Sequence, residues 1–117
     1  MRVLILGSDS PLGRALTNHL EALGRHEVVC LTRSASRWKS ERQAKKAVRR
    51  AQADAVVDIR VEAVADSGQE IVDLDLKRCQ WIAKSCLRDK ACFLFVSSSR
   101  VFSGELDRMY NEDDAPD

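Results

Sequence analysis

No Cys-x-x-Cys pair occurs among the four cysteines, Cys30, Cys79, Cys86 and Cys92, so a structural zinc site is not expected. Most of these cysteines fall inside apolar stretches, where a free thiol behaves as a small hydrophobe. That implies a reducing, cytoplasmic compartment rather than a disulfide scaffold. No long apolar run is present either. Residues 3–6 are followed at once by a turn, too short for a signal-peptide core or a membrane span. Charge imbalance is also missing: 19 basic residues face 18 acidic ones, and a net charge of +1 names no partner. There is no internal repeat. The only biased segments are one basic and one acidic block.

What is present fits one small domain. The chain has 117 residues, 44% hydrophobic and 32% charged, enough for one core between a sheet and a few helices. Residues 3–6 read as a buried strand ended by Gly7. Ser10-Pro11 reads as an N-cap and first helical residue. Leu12, Leu16, Leu20 and Leu23 follow near helical spacing, and Gly24 is the stop. A second strand spans 27–32. Ser40 and Gln43 form a capping box for a helix carrying Ala44, Ala47, Val48 and Ala51. The third strand spans 55–59. Ser67 and Glu70 form another capping box, for a helix whose apolar residues from Ile71 to Leu87 cover more than one face. Burial on two sides is expected there. The fourth strand spans 92–97. The domain is expected over 1–104, with 105–117 an acidic loop or surface tail.

Strand and helix alternate throughout, with each crossover about one helix long. The fold class is therefore α/β: a parallel sheet of about four strands, right-handed connections and helices on both faces. The expected strand order is 3-2-1-4.

The strongest site signal is the loop Gly7-Ser8-Asp9-Ser10-Pro11-Leu12-Gly13, between the first strand and the first helix. Helix-start N–H groups and the helix dipole favour an anion there, and glycines permit close backbone approach. The loop resembles the G-x-D/N-G-x-L-G of the extended short-chain dehydrogenase/reductases, in particular the dTDP-4-dehydrorhamnose reductase group. Gly7, Asp9, Leu12 and Gly13 match it, and Ser10 replaces the middle glycine. Residues 97–104 (SSSRVFSG) are similar to the family's S-T-D-Y-V-F-D-G, and Tyr110, Glu112 and Asp114 to its Y-x-E-x-D.

The resemblance implies a Rossmann-type fold that binds NAD(P) and reduces a nucleotide-linked keto-sugar. It implies cofactor contacts at Gly7, Ser8, Ser10, Pro11, Leu12, Gly13, Arg33, Asp58, Ile59 and Ser97, and a catalytic Ser98 that hydrogen-bonds the substrate carbonyl. The second strand ends in Thr32-Arg33-Ser34, with Arg37 near and no acid, which favours NADP over NAD. A side chain at Ser10 is expected to crowd the pyrophosphate, or else to bond a phosphate oxygen itself.

The family also needs a tyrosine whose phenol is tuned by a lysine four residues later. Tyr110 is the single tyrosine, and Asp114 stands four residues beyond it. The pair is expected in a C-terminal part lying beyond this chain, so the chain alone is expected to be inactive. Where the family carries a small neutral segment after the third strand, this chain has Asp58-Ile59-Arg60-Val61. Ser99-Arg100 replaces the family's Asp-Tyr. These departures keep a second function open: a non-catalytic dinucleotide-binding or protein-interaction module.

The remaining features have plainer readings. Residues 33–50 carry eight basic side chains and one acid, Glu41, which suits a solvated outer helix better than a nucleic-acid surface. Trp38 stacks on a base or an arginine, or packs. Trp81 is core or an interface anchor, and His19 flanks its helix. Uncovered sheet edges and apolar helix faces lead us to expect a homo-oligomer. No metal is expected.

Overall fold

β1 (Arg2–Leu6), β2 (Glu27–Leu31), β3 (Ala55–Asp58) and β4 (Cys92–Phe95) form one parallel sheet in the computed structural model, which describes residues 1–61, 64, 68, 70–97 and 108–115. Among the described residues, α1 (Pro11–Leu23), α2 (Glu41–Ala51) and α3 (Asp73–Asp89) connect them, with a 3₁₀ turn at Ser34–Ser36. The four-stranded, doubly wound α/β class expected from the alternation is what forms.

The strand order differs from expectation. It is β2-β1-β3-β4, not 3-2-1-4. Burial explains the difference. Every residue of β3 is buried, whereas β2 exposes Glu27 and Cys30 and half-buries the rest. A strand as apolar as Ala-Val-Val belongs in the middle of a parallel sheet, and one opening on glutamate tolerates the edge. The chain therefore leaves β2, crosses back over β1 and lays β3 on its other side. Leu4 thus lies between Val29 and Val56 in register.

That reversal sets the two faces. Right-handed crossovers running in opposite directions put their helices on opposite sides of the sheet. On one side α1 brings Leu16 and Leu20 against Val3, Ile5, Val57 and Ile59. On the other, α2 and α3 bring Ala44, Val48, Ala51, Ile82 and Cys86 onto Leu4, Leu6 and Val56. Alternation along β1 sorts its residues between the two cores. Each fully buried aliphatic side chain contributes about 1.5–3 kcal/mol.

The caps are largely those the sequence implies. Ser10 accepts the Gly13 N–H, and Gly24 closes α1 in the left-handed region at φ 66°. Ser40 accepts the Gln43 N–H, but Gln43 reaches back to the Lys39 N–H rather than to Ser40.

α3 departs more. It starts at Asp73, with Asp75 accepting the Val72 N–H, so Ile71 and Val72 precede the helix. Ser67, of the expected capping box, lies outside the described residues. Nor is α3 buried on two sides. Arg78, Ile82, Ser85 and Cys86 are buried, while Leu76 and Leu87 are 47% and 82% exposed. In the acidic tail, Asp114 closes a turn, accepting from the Asn111 N–H at 2.7 Å and from Arg108 at 2.6 and 2.9 Å.

Candidate functional site

The chain reverses direction at β1 and β3, so a crevice opens beyond their C-terminal ends, where ligands of open α/β sheets bind. The loop after β1 and the segment after β3 form its two lips. Gly7 has φ 88°, and a side chain on it would meet the Arg60 backbone at 3.3 Å. A Cβ on Gly13 would lie 2.3 Å from the Gly7 carbonyl oxygen and 2.9 Å from the Ser8 Cα. Only glycine allows α1 to start this close to the end of β1.

The helix start itself is largely committed. The Ser10 N–H donates to the Gly7 carbonyl at 3.1 Å, Pro11 has no N–H, and the Gly13 N–H donates to Ser10 Oγ at 3.1 Å. Leu12 is left as the one uncommitted N–H in that turn among the described residues. Ser10 Oγ spends its own proton on the Gly7 carbonyl at 2.7 Å and is buried. It therefore neither crowds a phosphate from outside nor has a proton to give one, contrary to both expectations for this position.

Beyond β3, Asp58 is fully buried and accepts a two-pronged contact from Arg60, Nε at 2.9 Å and Nη2 at 2.7 Å. The Arg60 backbone N–H adds a third bond at 3.1 Å. Arg60 Nη1 donates to the Ser36 carbonyl at 3.3 Å, and the guanidinium lies 5.0 Å from the Trp38 ring centre. Burial by itself lowers the Arg60 pKa, but the hydrogen bonds and charge of Asp58 outweigh it and hold the group above its ordinary value. Nearby, Cys79 Sγ is 3.9 Å from Arg60 Nη2. Its thiol is pushed up to about 12, first by burial and then by the Asp58 carboxylate. From α3, Arg78 Nε donates to the Trp38 carbonyl at 2.8 Å while Nη1 meets Asp75 at 3.1 Å.

These contacts enclose a cleft of about 540 Å³. It takes Asp9 from the glycine loop, Arg33, Ser34, Ser36 and Arg37 from the segment after β2, Arg60 and Val61 after β3, and Asp75 and Arg78 of α3. Arg33 donates its backbone N–H to Asp9 at 3.0 Å, and its guanidinium stands 3.9 Å from the same carboxylate. Its Nε is buried with no hydrogen-bond partner. Arg37 is exposed at the rim.

Of the residues expected to hold a cofactor, Arg33 lines this cleft and the Gly7–Gly13 loop borders it through Asp9. Asp58 does not face a ligand, because both its oxygens are committed to Arg60. Ile59 is buried among Val3, Ile5 and Val57, so only its backbone lies near the crevice. Ser97 stands exposed after β4 and is not part of the cleft lining. Ser98 lies outside the described residues. Trp38 packs in the core beneath Arg60 rather than opening to a base. The sequence placed Asp9 in the glycine loop and Arg60 after the third strand without giving either a contact in the site, and it gave no sign of Arg78.

The family model described as RmlD substrate binding domain matches residues 1–117. The chain belongs to this family. Solved structures with the same fold include a dTDP-4-dehydrorhamnose reductase from Bacillus anthracis str. Ames in complex with NADP, with a TM-score of 0.74 and 17% identity over 99% of this chain. A dTDP-4-dehydrorhamnose reductase from Clostridium acetobutylicum gives 0.75 and 19% over 100% of this chain. The L780 UDP-rhamnose synthase from Acanthamoeba polyphaga mimivirus gives 0.71 and 18%, again over 100%. The chain spans 43%, 43% and 45% of those three proteins, respectively. No curated protein matches significantly in sequence. Among the described residues, no helix is long and apolar enough to cross a membrane.

Proposed function

We propose that the chain is the dinucleotide-binding part of a sugar-nucleotide reductase-like oxidoreductase, and that it prefers NADP to NAD. The observation that carries this reading is Arg33 just beyond β2, whose Nε makes no hydrogen bond and stands 3.9 Å from the Asp9 carboxylate, and whose side chain lines the cleft at the sheet's reversal point. The Arg33 side chain, 37% exposed, would meet a phosphate on the adenosine ribose, with Arg37 completing a two-arginine grip. Membership of the RmlD family supports the reading, as does the NADP in the Bacillus anthracis structure.

Bound NADP would supply hydride to a nucleotide-linked keto-sugar. The chain's own residues bind and orient. Gly7 and Gly13 let the backbone come close, Leu12 offers one N–H, and Ser98 would hydrogen-bond the substrate carbonyl. Within these residues Tyr110 has no lysine four positions on, and Asp114 there is engaged by Arg108. The chain by itself therefore binds without turnover. Its free cysteines suit a cytoplasmic setting. The exposed Leu94 and Phe95 on edge strand β4, with Leu87 on α3, suit a homo-oligomer.

Calorimetric titration tests the reading. NADPH should bind at least about tenfold tighter than NADH, as one added charge-assisted contact requires. Equal affinities would remove the NADP preference, and no heat from either would remove the cofactor. A second reading, a non-catalytic binding module, draws on the buried Asp58–Arg60 pair standing where the family resemblance implies small neutral residues. A longer form of the protein that binds NADPH but never oxidises it would favour this alternative.

A further inference from the structure

α2 and the acidic segment around Asp114 take no part in the cleft described above. On α2, Ala44, Val48 and Ala51 face the core. Arg42, Lys46 and Arg49 stand at i, i+4 and i+7 on the opposite side, so one helix face is cationic over about 10 Å. With Lys45, Arg50 and, from α3, Arg88, they line a groove of about 660 Å³. The one acid in that lining is Glu41, and Lys45 takes it at 3.4 Å. Arg88 is neutralised by Asp89 at 2.9 Å. Among the described residues, no acid pairs with Arg42, Lys46 or Arg50.

The acidic segment is the counterpart. Residues 112–117 read Glu-Asp-Asp-Ala-Pro-Asp. Asp114 is spent on closing a turn with Arg108 at 2.6 Å. Glu112 and Asp113 are exposed, and among the described residues no cation meets their carboxylates. One chain thus carries free cations on α2 and free acids beyond β4, and does not join them itself.

The groove is lined by charged side chains alone, and Trp38, the aromatic nearest to it in sequence, is buried. It provides nothing for stacking bases or for entering a membrane surface. A net charge of +1 gives a long polyanion little overall attraction, and the acidic segment repels one. A second copy meets no such penalty, because the repelling segment becomes the ligand.

We propose that the α2 groove receives the Glu112–Asp113 segment of a second copy of this chain. Two-fold pairing makes the contact twice, groove to segment and segment to groove. The proposal rests on the self-association read above, but it uses a different surface from Leu87, Leu94 and Phe95. Exposed ion pairs are weak one by one and are screened by salt, so the two surfaces respond differently to ionic strength.

Sedimentation equilibrium on the whole chain is the test. Raising salt from about 50 to about 500 mM should weaken self-association at least about tenfold. Arg42→Glu with Lys46→Glu sets acid against acid, and Glu112→Lys with Asp113→Lys sets base against base. Each double variant alone should lose at least about tenfold in affinity. Mixed in equal amounts, the two restore both contacts of the pair and should associate about as tightly as the wild type. The substituted positions are exposed, and glutamate and lysine are good helix formers. Circular dichroism checks folding. Should a variant fail it, Arg42→Gln with Lys46→Gln, or Glu112→Gln with Asp113→Gln, takes its place, and weaker association is again expected.

A dimer insensitive to salt and to both variants would overturn the groove contact and leave association to the apolar surface. A monomer at low salt would overturn both. Losses that the mixture does not restore would overturn the pairing of groove with segment. A mixed-sequence DNA oligonucleotide that binds the wild type and the segment variant but not the α2 variant would give the groove to nucleic acid instead.

Discussion

Replacing Arg60 by methionine should destabilise the chain by about 3–5 kcal/mol, because it strands a buried carboxylate. Methionine keeps much of the side chain's apolar length, so packing against Trp38 is largely retained. What goes is the two-pronged contact to Asp58 at 2.7 and 2.9 Å and the bond to the Ser36 carbonyl. Asp58 is 0% exposed and keeps only the Arg60 backbone N–H and the weak thiol bond from Cys79. Both side chains are more than nine-tenths buried, so solvent screening does not dilute the effect as it would at the surface. Against a total stability of about 5–15 kcal/mol the loss is severe. At roughly 4 °C per kcal/mol it lowers Tm by about 12–20 °C. Thermal and urea unfolding followed by circular dichroism measure it directly. The double variant Asp58→Asn with Arg60→Met removes both charges and should recover at least about 2 kcal/mol, since the penalty lies in the unpaired charge. A loss below about 1 kcal/mol for Arg60→Met would refute the reasoning, because the Asp58 carboxylate would then have to be hydrated in solution.

Gly13→Ala forces a Cβ to 2.3 Å from the Gly7 carbonyl, so backbone must move. A loss of about 1–3 kcal/mol in urea unfolding is expected, together with loss of nucleotide binding. Burial raises the thiols of Cys79 to about 12 and Cys86 to about 11, whereas Cys30 and Cys92 are exposed. A thiol reagent at pH 8 should therefore modify two cysteines in the native chain and four in urea. The same shifts carry a sign in pH. The folded values lie above the ordinary 9.0, so the stability they contribute is complete below pH 9 and is lost as pH rises toward 11–12. A Cys79→Ala, Cys86→Ala variant should show a flatter alkaline limb in unfolding measurements from pH 8 to 11. Light scattering behind size-exclusion chromatography should give a mass of two chains or more, and a clean monomer at high concentration would refute the oligomer.

Much of the architecture could be read from periodicity. Strand and helix identities follow from the short apolar runs and from Ser10, Gly24 and Ser40 as caps. Strand order was harder, because both doubly wound orders share one sequence of elements. The usable clue was compositional: Ala55-Val56-Val57 reads as an interior strand, and Glu27 opening β2 reads as an edge. The start of α3 was obscured because Ser67 and Glu70 have capping-box spacing, while the working cap is Asp75 reaching back to Val72.

In the site, the glycines and Arg33 were legible from their places at strand ends. The committed state of the helix start was half legible. Proline at the first helical position always lacks an N–H, but the inward turn of Ser10 is a matter of three-dimensional geometry. The Asp58–Arg60 pair was accessible only as two opposite charges close in sequence, since Arg60 lies beyond β3 and strand alternation does not place it. Arg78 was not, because its partner is a main-chain oxygen forty residues away.

Both clamps on the segment after β2 close on main-chain oxygens, of Ser36 and Trp38. A grip on the backbone is indifferent to which side chains hang from it. Positions 33, 34, 35 and 37 can thus exchange residues while the strap keeps its shape, and ligand choice can be rewritten there without rebuilding the domain beneath.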